Sequence, residues 1–221
     1  MTGADAGTGG AAHYGAIVLA AGSSSRMGGH KLLLPLGGRP LVAYAVTAAC
    51  ESTADPVLVV LGLAAEEVRA ALPAGRYATV VNPDYAAGMA GSLRAGLRAL
   101  RAAGSGDQLA GVLIALADQP LAGADLFDAL LHAAAQAPEA IIAASYNGRR
   151  GNPVVFPAAL FDELERVKGD EGGRGVIARH PALLHPVEWP DPRAALDVDQ
   201  PDDYERVASL LAGSSSATGE G

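Results

Sequence analysis

Residues Leu19 to Leu36 read LAAGSSSRMGGHKLLLPL, a glycine- and serine-rich loop that opens at the end of an apolar run and carries Arg26 and Lys31 five positions apart. Backbone amides left free by glycines, hydroxyls and two cations in one short segment are what a polyphosphate requires. The loop therefore points to a nucleotide handled through its phosphates. Its spacing excludes two familiar phosphate loops. A Walker loop places glycine directly before lysine and Ser or Thr after it, whereas here His30 precedes Lys31 and Leu32 follows. A dinucleotide fingerprint needs glycine two residues beyond Gly22, where Ser24 stands.

Outward from the loop, short apolar runs alternate with amphipathic segments, the pattern of βαβ units crossing over onto a parallel sheet. Ala16 to Ala20, Pro56 to Leu61, Ala78 to Val81 and Val112 to Ala117 are β-branched or uniformly apolar and read as strands covered on both faces. Helices are expected near Pro40 to Cys50, with Pro40 in the first turn, and near Ala64 to Leu72, Ala90 to Ala102 and Asp125 to Ala135. Ala140 to Ser145, the Asn147-Gly148 pair and Asn152 to Phe156 read as a hairpin or a bent return. Further helices are expected at Ala158 to Val167, Gly173 to Arg179 and Pro201 to Leu211. The ends are rich in Gly, Ala, Ser and Thr, so residues 1–13 and 212–221 read as disordered tails around a single domain at 14–211.

Composition narrows the function classes. The formal net charge of −8 disfavours a general attraction to nucleic acid or to an anionic membrane, so any bound anion needs a local cationic site. No run of apolar residues is long enough to span a bilayer, and the N-terminus lacks a basic segment followed by an apolar one. A soluble, cytoplasmic protein is expected. Cys50 is the only cysteine, which excludes an internal disulfide and any multi-cysteine metal centre, and the five histidines show no zinc-ligand spacing.

Asp118 follows the strand Val112 to Ala117, and ligands of open α/β sheets collect at the carboxyl ends of strands. It is a candidate Mg²⁺ ligand, because that ion takes one or two carboxylates and leaves the remaining positions to water and phosphate. A second acidic group, Asp197-Val198-Asp199-Gln200-Pro201-Asp202-Asp203, places Asp197 and Asp199 on one side of an extended segment and Asp202 and Asp203 in the first turn of a helix. Asn82, Gly88 and Ser92 lie in a loop that opens a helix, where free amides and a hydroxyl can hold a base and ribose.

The run Ala20-Ala21-Gly22, then Arg26-Met27-Gly28, then Lys31 before LLLPL and Gly38-Arg39-Pro40-Leu41, resembles the signature of the molybdenum cofactor cytidylyltransferases among the MobA-like NTP transferases. LADQP at Asp118, the acidic group around Asp199 and the N…G…SL spacing resemble that family's other signatures. The resemblance implies a three-layer α/β fold with a mostly parallel, Rossmann-like sheet of the nucleotide-diphospho-sugar transferase type. It implies transfer of CMP from CTP to the phosphate of a molybdopterin-type acceptor, with Mg²⁺ as cofactor and a molybdenum-dependent oxidoreductase as a possible client. Lys31, Arg26 and Asp118 are then catalytic. Leu19, Ala20, Ala21, Gly22, Ser23, Ser24, Lys31, Asn82, Gly88 and Ser92 bind the nucleotide, and Asp118, Asp199 and Asp197 hold the metal. Arg149 to Val154 and Gly169 to Arg174 resemble acceptor-side segments, with Asn152 where the family commonly has histidine. Alternatives are a GTP-using or other phosphorylated-acceptor transferase, and an oxidoreductase role of the kind attached to a nicotine-derived pigment.

Overall fold

A computed structural model describes residues 13–22, 30–102 and 109–216, the last three as backbone only. Its centre is a seven-stranded sheet in the order β5-β4-β1-β6-β8-β7-β9. The strands are β1 His13–Ala20, β4 Val57–Leu61, β5 Ala78–Val81, β6 Leu109–Leu116, β7 Ile141–Tyr146, β8 Arg149–Pro157 and β9 Leu184–Glu188. A separate two-stranded ribbon, β2 Pro35–Leu36 and β3 Arg39–Pro40, follows Lys31. Six sheet strands form parallel pairs, and β8 alone runs antiparallel to both its neighbours. The fold is α/β with a mostly parallel sheet.

Alternation along β1 shows how the layers form. Ala16, Val18 and Ala20 enter one core with Val46 of α1 (Leu41–Glu51), Phe127 and Leu130 of α4 (Ala124–Gln136) and Val207 of α7 (Pro201–Ser216). Ile17 enters the opposite core with Leu93 and Leu97 of α3 (Met89–Ala102), Leu164 of α5 (Phe161–Leu164) and Ile177 of α6 (Gly173–Arg179). A strand with helices on both faces must be apolar at successive positions, which is why β4 reads VLVVL and is buried throughout. From β1 the chain crosses to β4 and β5, then returns to lay β6 on the other side of β1. That reversal opens a crevice beyond the carboxyl ends of β1 and β6.

Several sequence expectations need correction. Pro40 ends the ribbon with ψ 143 and caps α1 from outside, because the Leu41 amide bonds the Leu34 carbonyl. Strand β5 is a half-exposed edge and is not covered on both faces. The helix expected at Ala158 to Val167 is a 3-10 turn, Ala158–Leu160, followed by the four residues of α5, since the chain must bend to bring Gly169 onto α3, where the Ala90 amide bonds its carbonyl. Helix α2 covers only Ala65–Ala70. The expected tails are too long: His13 already belongs to β1, and α7 continues through 212 to Ser216. The Asn147-Gly148 hairpin stands as expected, both residues having positive φ, 53 and 74. Among the described residues no helix is long and apolar enough to cross a membrane.

Candidate active site

Three side chains distant in sequence meet at the crevice. Lys31 opens a 3-10 turn, Lys31–Leu33, directly after His30. Its chain is buried, 8% exposed, and its Nζ donates to Asp118 Oδ2 at 2.7 Å and to Asp199 Oδ1 at 2.6 Å. Asp118 stands just past β6, where the amide of Ala117 bonds the Leu19 carbonyl of β1. The segment carrying Asp199 is fixed to it by the Val198 amide, which donates to the Asp118 carbonyl at 3.0 Å while the Val198 side chain is fully buried in the core. Alternation about Val198 then sends Asp197 and Asp199 away from the core. Asp203 Oδ2 accepts from the amides of Asp199 and Gln200, fixing the start of α7. Sequence reading put Asp202 and Asp203 in that first turn, and the helix indeed begins at Pro201.

Charge balance in this group is set by burial and pairing. Burial alone would lower the pKa of the Lys31 ammonium, but the charge and hydrogen bond of Asp118, then those of Asp199, outweigh it and leave the pKa raised. Asp197 is pushed upward, chiefly by burial and further by the charges of Asp118 and Asp199, against a hydrogen bond from Gln119 Nε2 at 2.5 Å. Among the described residues, no three His, Cys, Asp or Glu side chains form a group that could hold a metal ion. The acids named from the sequence are therefore not a complete cage. A hard cation bound partly by phosphate does not need one, and the donors at hand are carboxylate oxygens, one of which, Asp118 Oδ1, is buried without a partner among the described residues. Asp118 and Asp199 fit such an ion.

Two lobes adjoin this group. One, about 380 Å³, is lined by Leu19, Ala21, Gly22, Lys31, Ser92 and Asp118, and by Gly88 and Asp170. The other, about 280 Å³, has an apolar wall that includes Ile114 and Phe156, with Arg150, Asn152, Glu171, Arg174 and Asp197 as its polar groups. Leu19, Leu116 and Met89 border both.

Of the residues named from the sequence, Ser23, Ser24 and Arg26 lie outside the described residues. Ala20 is fully buried and faces the core, not the first lobe. Asn82 is also buried and does not reach the lobe. Its Nδ2 donates to Ser92 Oγ at 3.0 Å and its Oδ1 accepts from the Asp84 amide, so its polar atoms hold the turn together. Asp170, assigned by sequence to the acceptor side, lines the first lobe while its neighbour Glu171 lines the second. Sequence reading also missed His30, which carries no motif signal: its Nε2 donates to the Leu63 carbonyl at 2.7 Å, and its own carbonyl accepts from Leu33. It missed Tyr146 too, whose hydroxyl donates to the Asn152 carbonyl at 2.6 Å and so fixes the wall of the second lobe. Burial, reinforced by the Asp197 charge, holds this phenol neutral far above its ordinary range. Tyr146→Phe is expected to lower stability by about 1 kcal/mol, a melting shift of roughly 2–4 °C. An unchanged melt would mean that the hydroxyl bond adds nothing.

Comparison with known proteins gives the same picture. The description MobA-like NTP transferase domain matches residues 16–184. The chain is 32% identical over 203 residues to the purine catabolism protein PucB of Bacillus subtilis, covering 88% of this chain and 96% of PucB. It is 32% identical over 200 residues to the nicotine blue oxidoreductase of Paenarthrobacter nicotinovorans, covering 86% and 94%. It is 34% identical over 206 residues to a molybdenum cofactor guanylyltransferase of Mesorhizobium japonicum, covering 88% and 94%. Among solved structures, Rv0371c of Mycobacterium tuberculosis in complex with manganese superposes with a TM-score of 0.72 at 29% identity, covering 89% of this chain and 98% of that one. A nucleotidyl transferase from Methanothermobacter gives a TM-score of 0.76 at 26% identity, covering 91% and 99%. With the family's domain spanning most of the sheet and Gly22, Lys31 and the strand-end acid Asp118 gathered at one crevice, this chain belongs to the MobA-like NTP transferases and carries a nucleotidyltransferase domain.

Proposed function

We propose that the protein is a Mg²⁺-dependent cytidylyltransferase that moves CMP from CTP onto the phosphate of a molybdopterin-type acceptor, in the cytoplasm, for a molybdenum-dependent oxidoreductase. The observation that carries the reading is the Lys31 ammonium held between Asp118 and Asp199 on the wall of a lobe that also presents Gly22 and Ser92. In the reaction an acceptor phosphate oxygen bonds to the α-phosphorus of the nucleotide and the bond to pyrophosphate breaks. The attacking group is already an anion, so no general base is required, and positioning with charge neutralisation supplies the catalysis. The cation, held by Asp118 and Asp199, supplies further neutralisation of phosphate charge when bound. Lys31, Arg26 and the amides of the loop from Leu19 to Ser24 hold the polyphosphate. The second lobe suits the acceptor: Arg150 and Arg174 offer charge to a phosphate, and the apolar wall around Phe156 accepts a flat ring.

Choice of cytidine rests on the LLLPL run after Lys31. The guanylyltransferase relative favours GTP as the second reading. The test incubates the protein with Mg²⁺, molybdopterin and each of the four NTPs, and measures pyrophosphate. Release with CTP alone is expected. Release with GTP alone replaces cytidine by guanosine, and no release with any nucleotide overturns the molybdopterin reading and leaves the other phosphorylated acceptor and the oxidoreductase role.

A further inference from the structure

In this structure the ammonium of Lys31 stands between the two acids that would hold a divalent cation, on one oxygen of each. Its Nζ is 2.7 Å from Asp118 Oδ2 and 2.6 Å from Asp199 Oδ1, so the two carboxylates are bridged by one positive charge. The bridge is built, not incidental. The lysine side chain is only 10% exposed and the Asp118 side chain 23%, while that of Asp199, at 52%, opens to the crevice. All three backbones are fixed independently of the ion pairs: Lys31 by its 3-10 turn and the His30 bond to Leu63, Asp118 by the bond from Val198, and Asp199 by Asp203. A cation added to these carboxylates meets a positive charge a few ångströms away, and on the buried Asp118 side solvent screens that repulsion less than it would in bulk water. The lysine has to leave before the ion can take both oxygens.

We propose that Lys31 is a placeholder for the metal: in the nucleotide-free protein it occupies the Asp118–Asp199 pair and keeps a divalent cation out, and it yields the pair when a polyphosphate gives its ammonium another partner. This rests on the nucleotidyltransferase reading of the site. The polyphosphate is a sufficient partner because it offers several anionic oxygens to a lysine that already lines the nucleotide lobe. The arrangement makes the cation enter with the nucleotide, not ahead of it. It also neutralises two neighbouring carboxylates whose mutual repulsion, together with the charge of Asp197 nearby, would otherwise disfavour the crevice in the empty protein.

The consequence runs against the usual expectation that removing an active-site residue weakens the site. Lys31→Met retains the length and apolar stem of the side chain and deletes the charge. It is expected to bind Mn²⁺ alone, without nucleotide, at least ~10-fold more tightly than the wild type, since the competing charge is gone and two carboxylates are left unpaired. Free Mn²⁺ followed by electron paramagnetic resonance reads this directly and does not depend on turnover. Adding Asp118→Asn to Lys31→Met should abolish the gain, which places the ion at this pair. Lys31→Gln serves in the same way if the methionine variant melts early. Equal Mn²⁺ affinity of wild type and both lysine variants, or a gain that persists with Asp118→Asn, overturns the proposal. The molybdopterin reading fails by a different observation, the absence of pyrophosphate release by the wild type with every nucleotide.

Discussion

Asp118→Asn is expected to reduce nucleotidyl transfer at least ~100-fold while leaving the protein folded, because the substitution removes a charge that faces phosphate chemistry and no atom on which the core depends. The Asp118 backbone carbonyl still accepts from the Val198 amide, so the segment that carries Asp199 stays in place. The amide oxygen of an asparagine can still accept from Lys31 Nζ, and Asp199 remains its charged partner, so the buried ammonium is not orphaned. A loss of about 1 kcal/mol, or ~2–4 °C in melting temperature, is the expected structural cost. Pyrophosphate release and thermal melts measured on one preparation should therefore separate. A variant that keeps more than about a tenth of wild-type turnover, where loss of such a group should cost several kcal/mol at the transition state, would remove Asp118 from the chemistry.

Gly88→Ala is expected to be the most damaging single methyl near the site. Gly88 has φ 107 and ψ 171, a region open in practice to glycine alone, and strain there costs about 1–3 kcal/mol. An added Cβ would also stand 2.6 Å from the Gly169 carbonyl oxygen and 2.5 Å from Asp170 Oδ1, and backbone cannot yield as a flexible side-chain end can. Overpacking of this kind adds roughly 1–3 kcal/mol. The next residue, Met89, borders both lobes, and the Ala90 amide bonds Gly169, so relief of the clash must pull the Gly169 to Glu171 loop off α3. Together these come to roughly 2–6 kcal/mol, so a melting temperature lower by about 4–24 °C is expected, from ~2–4 °C per kcal/mol at this chain length. Nucleotide affinity by calorimetry should fall with it. Wild-type values of both would show that the loop moves at no cost and that the contact between α3 and Gly169 is incidental.

Much of the architecture was legible from local pattern. The runs around Val18, Val59 and Ile114 are apolar at successive positions because helices cover both faces, and the same pattern failed at Ala78 to Val81, where an edge strand carries the composition of a central one. Asn147-Gly148 was readable because a two-residue turn with positive φ at both positions constrains the residue types themselves. The short α5 was not readable, since its end is set by where Gly169 must reach, a demand made by α3 more than sixty residues earlier.

The same division holds in the site. Sequence alone determined that a glycine- and serine-rich segment leads into Lys31, that a carboxylate follows a buried strand, and that two further acids straddle a valine, because each of these is a matter of neighbours along the chain and of the period of a strand. It could not determine that Lys31 meets residues 87 and 168 positions away, that Asn82 spends its polar atoms on Ser92 and Asp84, or that Asp170 and Glu171 face different lobes. Those outcomes follow from the order of strands in the sheet, which sets β1 beside β6 and brings the segment before α7 across their ends. Partners, burial and charge are properties of the space that the packed layers enclose, and that space exists only when the whole sheet has closed around it.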